Sequence, residues 1–443
     1  MHNKYRNLIS VFTVFLLLSF FDLSAQRRTY SPYSRYGLGE LQTNGFGRNQ
    51  SMGGTGIALR NPNHLNDINP ASLSSMDSLS FFLEAGIKGF YQKLESNTTE
   101  AEFSDITFDY FTLGFPIAKW GGVALGFRPV SNTGYEFSSI TENEGTGAVK
   151  NSAFGTGNLT KAYFGLGFEP IKNLSLGANF SYIFGNLRHL NFLQFADPNA
   201  YIYGNRKQIH VSDIAFDFGA QYTLELNNKN SFTFGATFNP KTALKGDYED
   251  ITARGRKLGD KGLLFDESDI DADTLKYDPL TFTGNSMELP MGYGIGFAYE
   301  MKDKLVVTAD YSFKNWKDSK FPDKLTRTTN SSRYAMGIEF IPNDRSANFY
   351  PARIRYRLGG HLLDDYLMIP YSAGKSTEYY QLKDFGISFG LGLPMKRSKT
   401  SLNLAFELGQ RGTTDNNLIK ESYGKFTVNL TLHEYWFMKR KFD

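Results

Sequence analysis

About fourteen stretches of this chain carry a bulky apolar residue at every second position, with Gly, Ser, Thr or Asn between. From Met291 to Glu300, Met291, Tyr293, Ile295, Phe297 and Tyr299 fall on one face, and Gly292, Gly294, Gly296, Ala298 and Glu300 on the other. A period of two with one greasy face is a β-strand. No amphipathic helix pattern accompanies so many strands to cover their apolar faces. Lipid is the remaining cover, and a sheet in lipid has to close on itself because its backbone groups find no water there. The pattern predicts an all-β fold, a transmembrane antiparallel β-barrel of about 14 strands with an N-terminal plug, in the outer membrane of a Gram-negative bacterium.

Strands are expected near 79–91, 105–117, 121–130, 161–169, 173–185, 210–225, 231–239, 290–300, 304–314, 332–341, 351–361, 383–393, 399–409 and 423–437. Their connections alternate in length. Glu169 to Asn173, Asn227 to Asn230 and Met301 to Asp303 are short and rich in turn residues. Long links are expected at 92–104, 131–160, 188–208, 240–289, 315–331, 362–382 and 410–422. Outer-membrane barrels keep short turns in the periplasm and long loops outside, so both termini fall on the periplasmic side. Within 105–117 the apolar parity switches between Tyr110 and Phe111, the mark of a bulge or a greasy stretch of lumen.

The chain opens with Lys4 and Arg6, an apolar core from Val11 to Phe21 and a small-residue site ending at Ala25. This reads as a signal peptide over 1–25. No later run of about 18 apolar residues follows. Residues 26–78, rich in Gly, Asn and Pro and without strand periodicity, form a plug or hatch ahead of a barrel over 79–443. A barrel of this size encloses more space than its own side chains fill.

Charge in the wall selects a register. Arg353, Arg355 and Arg357 alternate with Ile354, Tyr356 and Leu358, and an Arg on the lipid face near the midplane costs about 2–4 kcal/mol. The three therefore face the lumen, as do Glu84, Asp213, Asp217, Glu300, Asp310 and Glu339 on other strands. They read as lumen ion pairs that hold plug and wall together, or as an anion relay for a carboxylate head group. Tyr435, Trp436 and Phe437, with Trp120 in a turn, fit an aromatic interface girdle or simple turn packing.

The stretch Met52-Gly-Gly-Thr-Gly-Ile-Ala58, followed by Asn69-Pro-Ala71 just ahead of the first strand, resembles the hatch of the FadL-type long-chain fatty-acid transporters and their aromatic-hydrocarbon relatives. The resemblance implies fourteen strands, a hatch carrying an Asn-Pro-Ala motif, and a lateral window made by a kinked third strand. Carried over, Asn69, Pro70 and Ala71 form either a moving gate or a plain turn, with Gly53, Gly54 and Gly56 permitting close backbone packing. Pro129, ahead of Gly134, either kinks the third strand into a window or ends it. Two features depart from that family. Gln26 to Gln50, with Ser31-Pro-Tyr-Ser-Arg-Tyr-Gly-Leu-Gly39, is extra, and the chain ends in Lys439-Arg-Lys-Phe-Asp443 in place of an aromatic residue. That opening and ending resemble barrels of the Bacteroidota.

Other signals exclude more than they suggest. The chain has no Cys, which rules out a lipid-modified N-terminal Cys, disulfides and thiolate chemistry. A net charge of +3 from 48 basic and 45 acidic residues, with no concentrated basic stripe, speaks against nucleic acid. The Gly run lacks the Lys-Ser/Thr of a phosphate loop, and Gly386-Ile-Ser-Phe-Gly390 lies within an alternating strand where a nucleophile elbow needs a strand-turn-helix. The acidic run Asp266 to Asp273 lacks EF-hand spacing and reads as a solvated loop, and the six His show no zinc spacing. No cofactor, metal or catalysis is called for. The expected function is passive uptake of hydrophobic small molecules such as long-chain fatty acids. The alternative is a FadL-like barrel that partners an outer-membrane secretion or barrel-assembly complex. Expected partners are outer-membrane lipid, a hydrophobic ligand, the barrel-assembly machinery during biogenesis, and other outer-membrane proteins.

Overall fold

The structure, a computed structural model, describes residues 30–42, 45–145, 147–255, 273–322, 326–373, 376–395 and 398–435. The expected signal peptide, most of the 266–273 acidic run, Trp436, Phe437 and the terminal 439–443 lie outside the described residues. Among the described residues, seventeen strands join one sheet. They are β1 (Glu40–Leu41), β2 (Ser80–Glu95), β3 (Glu100–Ala118), β4 (Gly121–Asn143), β5 (Gly147–Ile171), β6 (Leu174–Phe195), β7 (Ile202–Glu225), β8 (Asn230–Asn239) and β9 (Thr242–Gly255). Then come β10 (Asp273–Leu289), β11 (Gly292–Met301), β12 (Leu305–Lys314), β13 (Ser331–Phe340), β14 (Arg355–Ala373), β15 (Ser376–Pro394), β16 (Ser401–Arg411) and β17 (Lys420–Tyr435).

Two barrel strands are interrupted by proline. β8 and β9 both pair with β7 and are parted at Pro240, while β10 and β11 continue one another across Pro290. Proline has no amide to give the ladder, so each strand breaks there without leaving the wall. Counted this way, and with β1 assigned to the N-terminal segment, the barrel has fourteen antiparallel strands. It closes where β17 pairs with β2, from Lys420↔Glu95 to Tyr435↔Ser80.

The wall keeps the alternation. Ile295, Phe297, Met336, Leu362 and Ile387 are exposed toward lipid, whereas Gly294, Gly296 and Gly337 meet the N-terminal segment inside. The parity switch in β3 is a bulge: Gly86 faces Tyr110, the next residue Ile87 faces Phe108, and Asp109 is left between. Both Asp109 and Tyr110 are buried as a result.

Five of the expected long loops are mostly hairpin, including 92–104, where β2 runs to Glu95 and β3 starts at Glu100, and 362–382, where β14 runs to Ala373 and β15 starts at Ser376. β4 runs on to Asn143 and β5 starts at Gly147; β6 reaches Phe195 and β7 starts at Ile202; β9 and β10 occupy much of 240–289. β5 and β7 have 25 and 24 residues, where about 9–11 tilted residues cross the hydrocarbon. Above the membrane both faces meet water, so polar stretches such as Glu136 to Asn143 keep the ladder and lose the apolar alternation. One expected strand begins late. Tyr350–Arg353 is a 3₁₀ turn carrying Pro351, and β14 starts at Arg355, so Arg353 is not on the barrel wall.

Candidate functional site

The lumen holds the N-terminal segment, and small wall residues let it approach. A methyl group on Gly167, Gly177, Gly219 or Gly235 would lie 2.4, 2.4, 2.0 and 2.1 Å from atoms of Pro70, Ala71, Asn69 and Ile57 respectively. Asn69 caps the 3₁₀ turn Pro70–Ser75 by accepting from the Ala71 amide at 3.1 Å. Its Nδ2 donates to the carbonyls of Ile57 (2.7 Å) and Ala220 (3.1 Å). Asn69, Pro70 and Ala71 are thereby fixed against β5, β6, β7 and β8.

The three glycines of the segment are equally engaged. Gly53 and Gly54 have φ of 68° and 72°, which an L side chain rarely adopts. The Gly53 amide donates to Ser388 Oγ at 2.7 Å, and the carbonyls of Gly53 and Gly54 accept from Arg333. The amides of Gly56 and Ile57 share Asp310 Oδ2 at 2.6 and 2.9 Å.

The expected lumen charges separate into two groups. Glu339 receives Arg48 of the segment at 2.8 Å and Arg357 of the wall at 2.6 Å, all three buried. Arg357 also donates to Asn403 at 2.8 Å. Glu84, buried, accepts from the Leu65 amide at 3.1 Å. Asp217 faces Asn239 at 2.6 Å and Lys161 at 3.8 Å, and Asp213 accepts from the Lys245 amide at 2.8 Å. Glu300 is on β11, half-buried. Arg355 pairs with Asp344 in the turn below, at 3.7 Å, and Arg353 stacks over Tyr350. A half-exposed pair of that length contributes at most about 1 kcal/mol. Arg355→Leu should therefore leave the melting temperature within a few degrees of the parent, and a large drop would place Arg355 in the lumen network.

Sequence patterning missed Arg48, Asp67, Arg128 and Arg333. Arg128 pairs with Asp67, both buried, in the lining of the central cavity. Arg48 and Asp67 lie in the aperiodic segment, where no alternation assigns a face; Arg128 and Arg333 sit on inward parities that the charge argument covered without naming them.

Above the segment lies a cavity of about 290 Å³. Charge of both signs lines it, with Arg128, Lys161, Lys314 and Arg333 against Asp217 and Asp310 among others. An apolar layer stands over it, in which Leu38, Trp316 and Tyr366 are buried together and the last two rings stack at 4.4 Å.

The ladder between β3 and β4 leaves a gap. β3 and β4 pair only from Ala118↔Gly121 to Phe111↔Phe127; beyond that β3 follows β2 alone, and β4 follows β5. A register shift between Pro129 and Ser131 marks the departure. The freed edge of β4 is met by β1, with Glu40↔Asn132 and Leu41↔Ser131, and Ser34 bonds Gly134 at 3.1 Å. Pro129 and Gly134 thus flank the stretch of wall covered by the N-terminal segment.

Solved structures of similar fold include hydrocarbon channels and transporters. The Pseudomonas putida toluene transporter TodX is 16% identical, with a TM-score of 0.58 over 90% of this chain and all of that one. The CymD monoaromatic hydrocarbon channel is 14% identical, with 0.56 over 91% of this chain and 100% of that one. A Pseudomonas aeruginosa FadL homologue is 11% identical, with 0.53 over 90% and 99%. At such identities the likeness carries the fold alone, a FadL-type barrel. A search of curated proteins gives no match. The model of the BamG family matches residues 6–443. Spanning nearly the whole sequence, that match makes this FadL-type barrel a member of the BamG family.

Proposed function

We propose that this protein is a non-enzymatic, internally sealed barrel that serves as an accessory subunit of the outer-membrane barrel-assembly machinery. The family's name has the form of a lettered component of that machinery. The observation that carries the proposal is the lumen itself: a charged cavity between a docked segment below and an apolar layer above. An acyl chain gains about 0.8 kcal/mol per CH₂ on leaving water for an apolar site, and a cavity that sets twelve charged side chains among apolar ones such as Ile57, Phe218 and Trp316 offers only part of that exchange. The long hairpins of β4 to β7, β9 and β10 rise from one side of the barrel, a surface suited to a protein partner.

A second reading follows from the gap between β3 and β4. A hydrophobic molecule such as a long-chain fatty acid would pass a hatch at Asn69–Pro70–Ala71, with Gly53, Gly54 and Gly56 beside it, and leave sideways between Pro129 and Gly134. Deleting the gene separates the two. The assembly reading expects reduced amounts of folded outer-membrane barrels with uptake of labelled oleate and toluene unchanged. Normal barrel levels with uptake lost would transfer the function to the second reading.

A further inference from the structure

The stretch from Ser31 to Gln42 supplies Leu38 to the apolar layer and is tied to the wall at both ends, Ser31 to Glu421 and Gln42 to Val130. We infer that it is a latch, a peptide that covers the side gap and can be released while the rest of the segment stays docked. Its hold on the wall is a ladder of two residues, Glu40↔Asn132 and Leu41↔Ser131, continued by the Gln42 amide to the Val130 carbonyl at 2.9 Å. Backbone groups on the freed edge of β4 need partners in a membrane, and this short strand supplies them where β3 does not.

Two tyrosine hydroxyls clamp the remainder. Tyr366 accepts from the Leu38 amide at 3.2 Å and donates to the Gly39 carbonyl at 3.1 Å. Tyr33, on the latch, donates to the Ile419 carbonyl at 2.5 Å and accepts from its amide at 3.0 Å. Leu38 is fully buried under Trp316 and Tyr366. The path between these clamps depends on glycine. Gly37 and Gly39 have φ of 61° and 81°, and a methyl group on Gly39 would lie 2.5 Å from the Asn132 carbonyl and 2.4 Å from Thr133 Oγ1.

The latch differs in kind from the piece below it. Residues 47–75 are held by close backbone approach around the barrel and by the buried Arg48–Glu339–Arg357 cluster. Residues 31–42 are held by individual hydrogen bonds from Ser31, Tyr33, Ser34, Gly37, Leu38 and Gln42, by the buried side chains of Tyr33 and Leu38, and by a two-residue ladder. Such a segment opens locally far below the cost of opening the whole barrel. When it lifts, the edge of β4 near Ser131 and Asn132 is uncovered.

The chain has no cysteine, so introduced pairs report cleanly. In the purified full-length barrel, amides of 38–42 should exchange hydrogen at least about tenfold faster than those of 47–58. Oxidising an E40C/N132C variant should slow 38–42 to the rate of 47–58, and reduction should restore the difference. Equal exchange of the two stretches in the unmodified protein would overturn the latch. As an independent check, Ser131→Cys should react with a hydrophilic maleimide about tenfold faster when combined with Gly39→Ala, with the heat-modifiable folded band on a gel unchanged. Unchanged labelling in a folded double variant would also overturn it.

Discussion

Replacing Glu339 by Leu should release the N-terminal segment from the wall. The carboxylate sits between Arg48 and Arg357, and its loss leaves two buried guanidinium groups facing each other without a counter-charge. Removing one partner of a buried ion pair costs about 3–5 kcal/mol, because the remaining charge stays desolvated. Arg48 can relieve the penalty only by withdrawing from the lumen and taking the helix Gly47–Gln50 with it. The expected result is rapid protease cleavage within 47–75 while the barrel band stays folded on a gel. An Arg48→Leu, Glu339→Leu, Arg357→Leu triple variant should recover much of the loss, since a matched apolar set no longer strands a charge. Protection equal to the parent in the Glu339→Leu variant would mean that the cluster does not hold the segment.

The second large effect is steric. In Gly177→Ala the new methyl lies 2.4 Å from the Ala71 amide nitrogen and 2.4 Å from the Pro70 carbonyl carbon, and neither is the end of a flexible side chain. Overpacking of this kind costs about 1–3 kcal/mol. The turn Pro70–Ser75 has to move away from β6, which also strains the Asn69 bonds to Ile57 and Ala220. Gly89→Ala is the matched control, because a methyl there has only ordinary contacts at 3.9 Å. Thermal melting should fall by several degrees for Gly177→Ala and stay level for Gly89→Ala. Equal melting of the two would argue that the turn is not pressed against the wall.

What the sequence reveals depends on which solvent a residue faces. Lipid forces apolar side chains onto alternate positions, so all fourteen barrel strands are legible, including β11 with its glycine face and β3 with its parity switch at the bulge. Water on both faces removes that constraint, and the upper parts of β4 to β7 pass for loops although their ladders continue. Arg353 misleads because three alternating arginines imitate one strand face, while Pro351 starts a turn that ends just before Arg355. Within the lumen, Glu84 and Glu339 are legible from wall parity, but their partners in the segment are not. Leu65 and Arg48 come from a stretch whose conformation is set by glycine packing instead of periodicity. The peptide Ser31 to Gly39 stands out in the sequence as an extra piece, and its role follows only from the gap it covers.

The central claim, a sealed barrel acting as a partner subunit, is tested most directly by purifying the protein from its native host in mild detergent and measuring proteins and lipids together by mass spectrometry. The account predicts near-stoichiometric recovery with the central barrel of the assembly machinery, and a lumen free of acyl chain or hydrocarbon. A protein that purifies alone with a hydrophobic molecule in the cavity above Ile57 would contradict it.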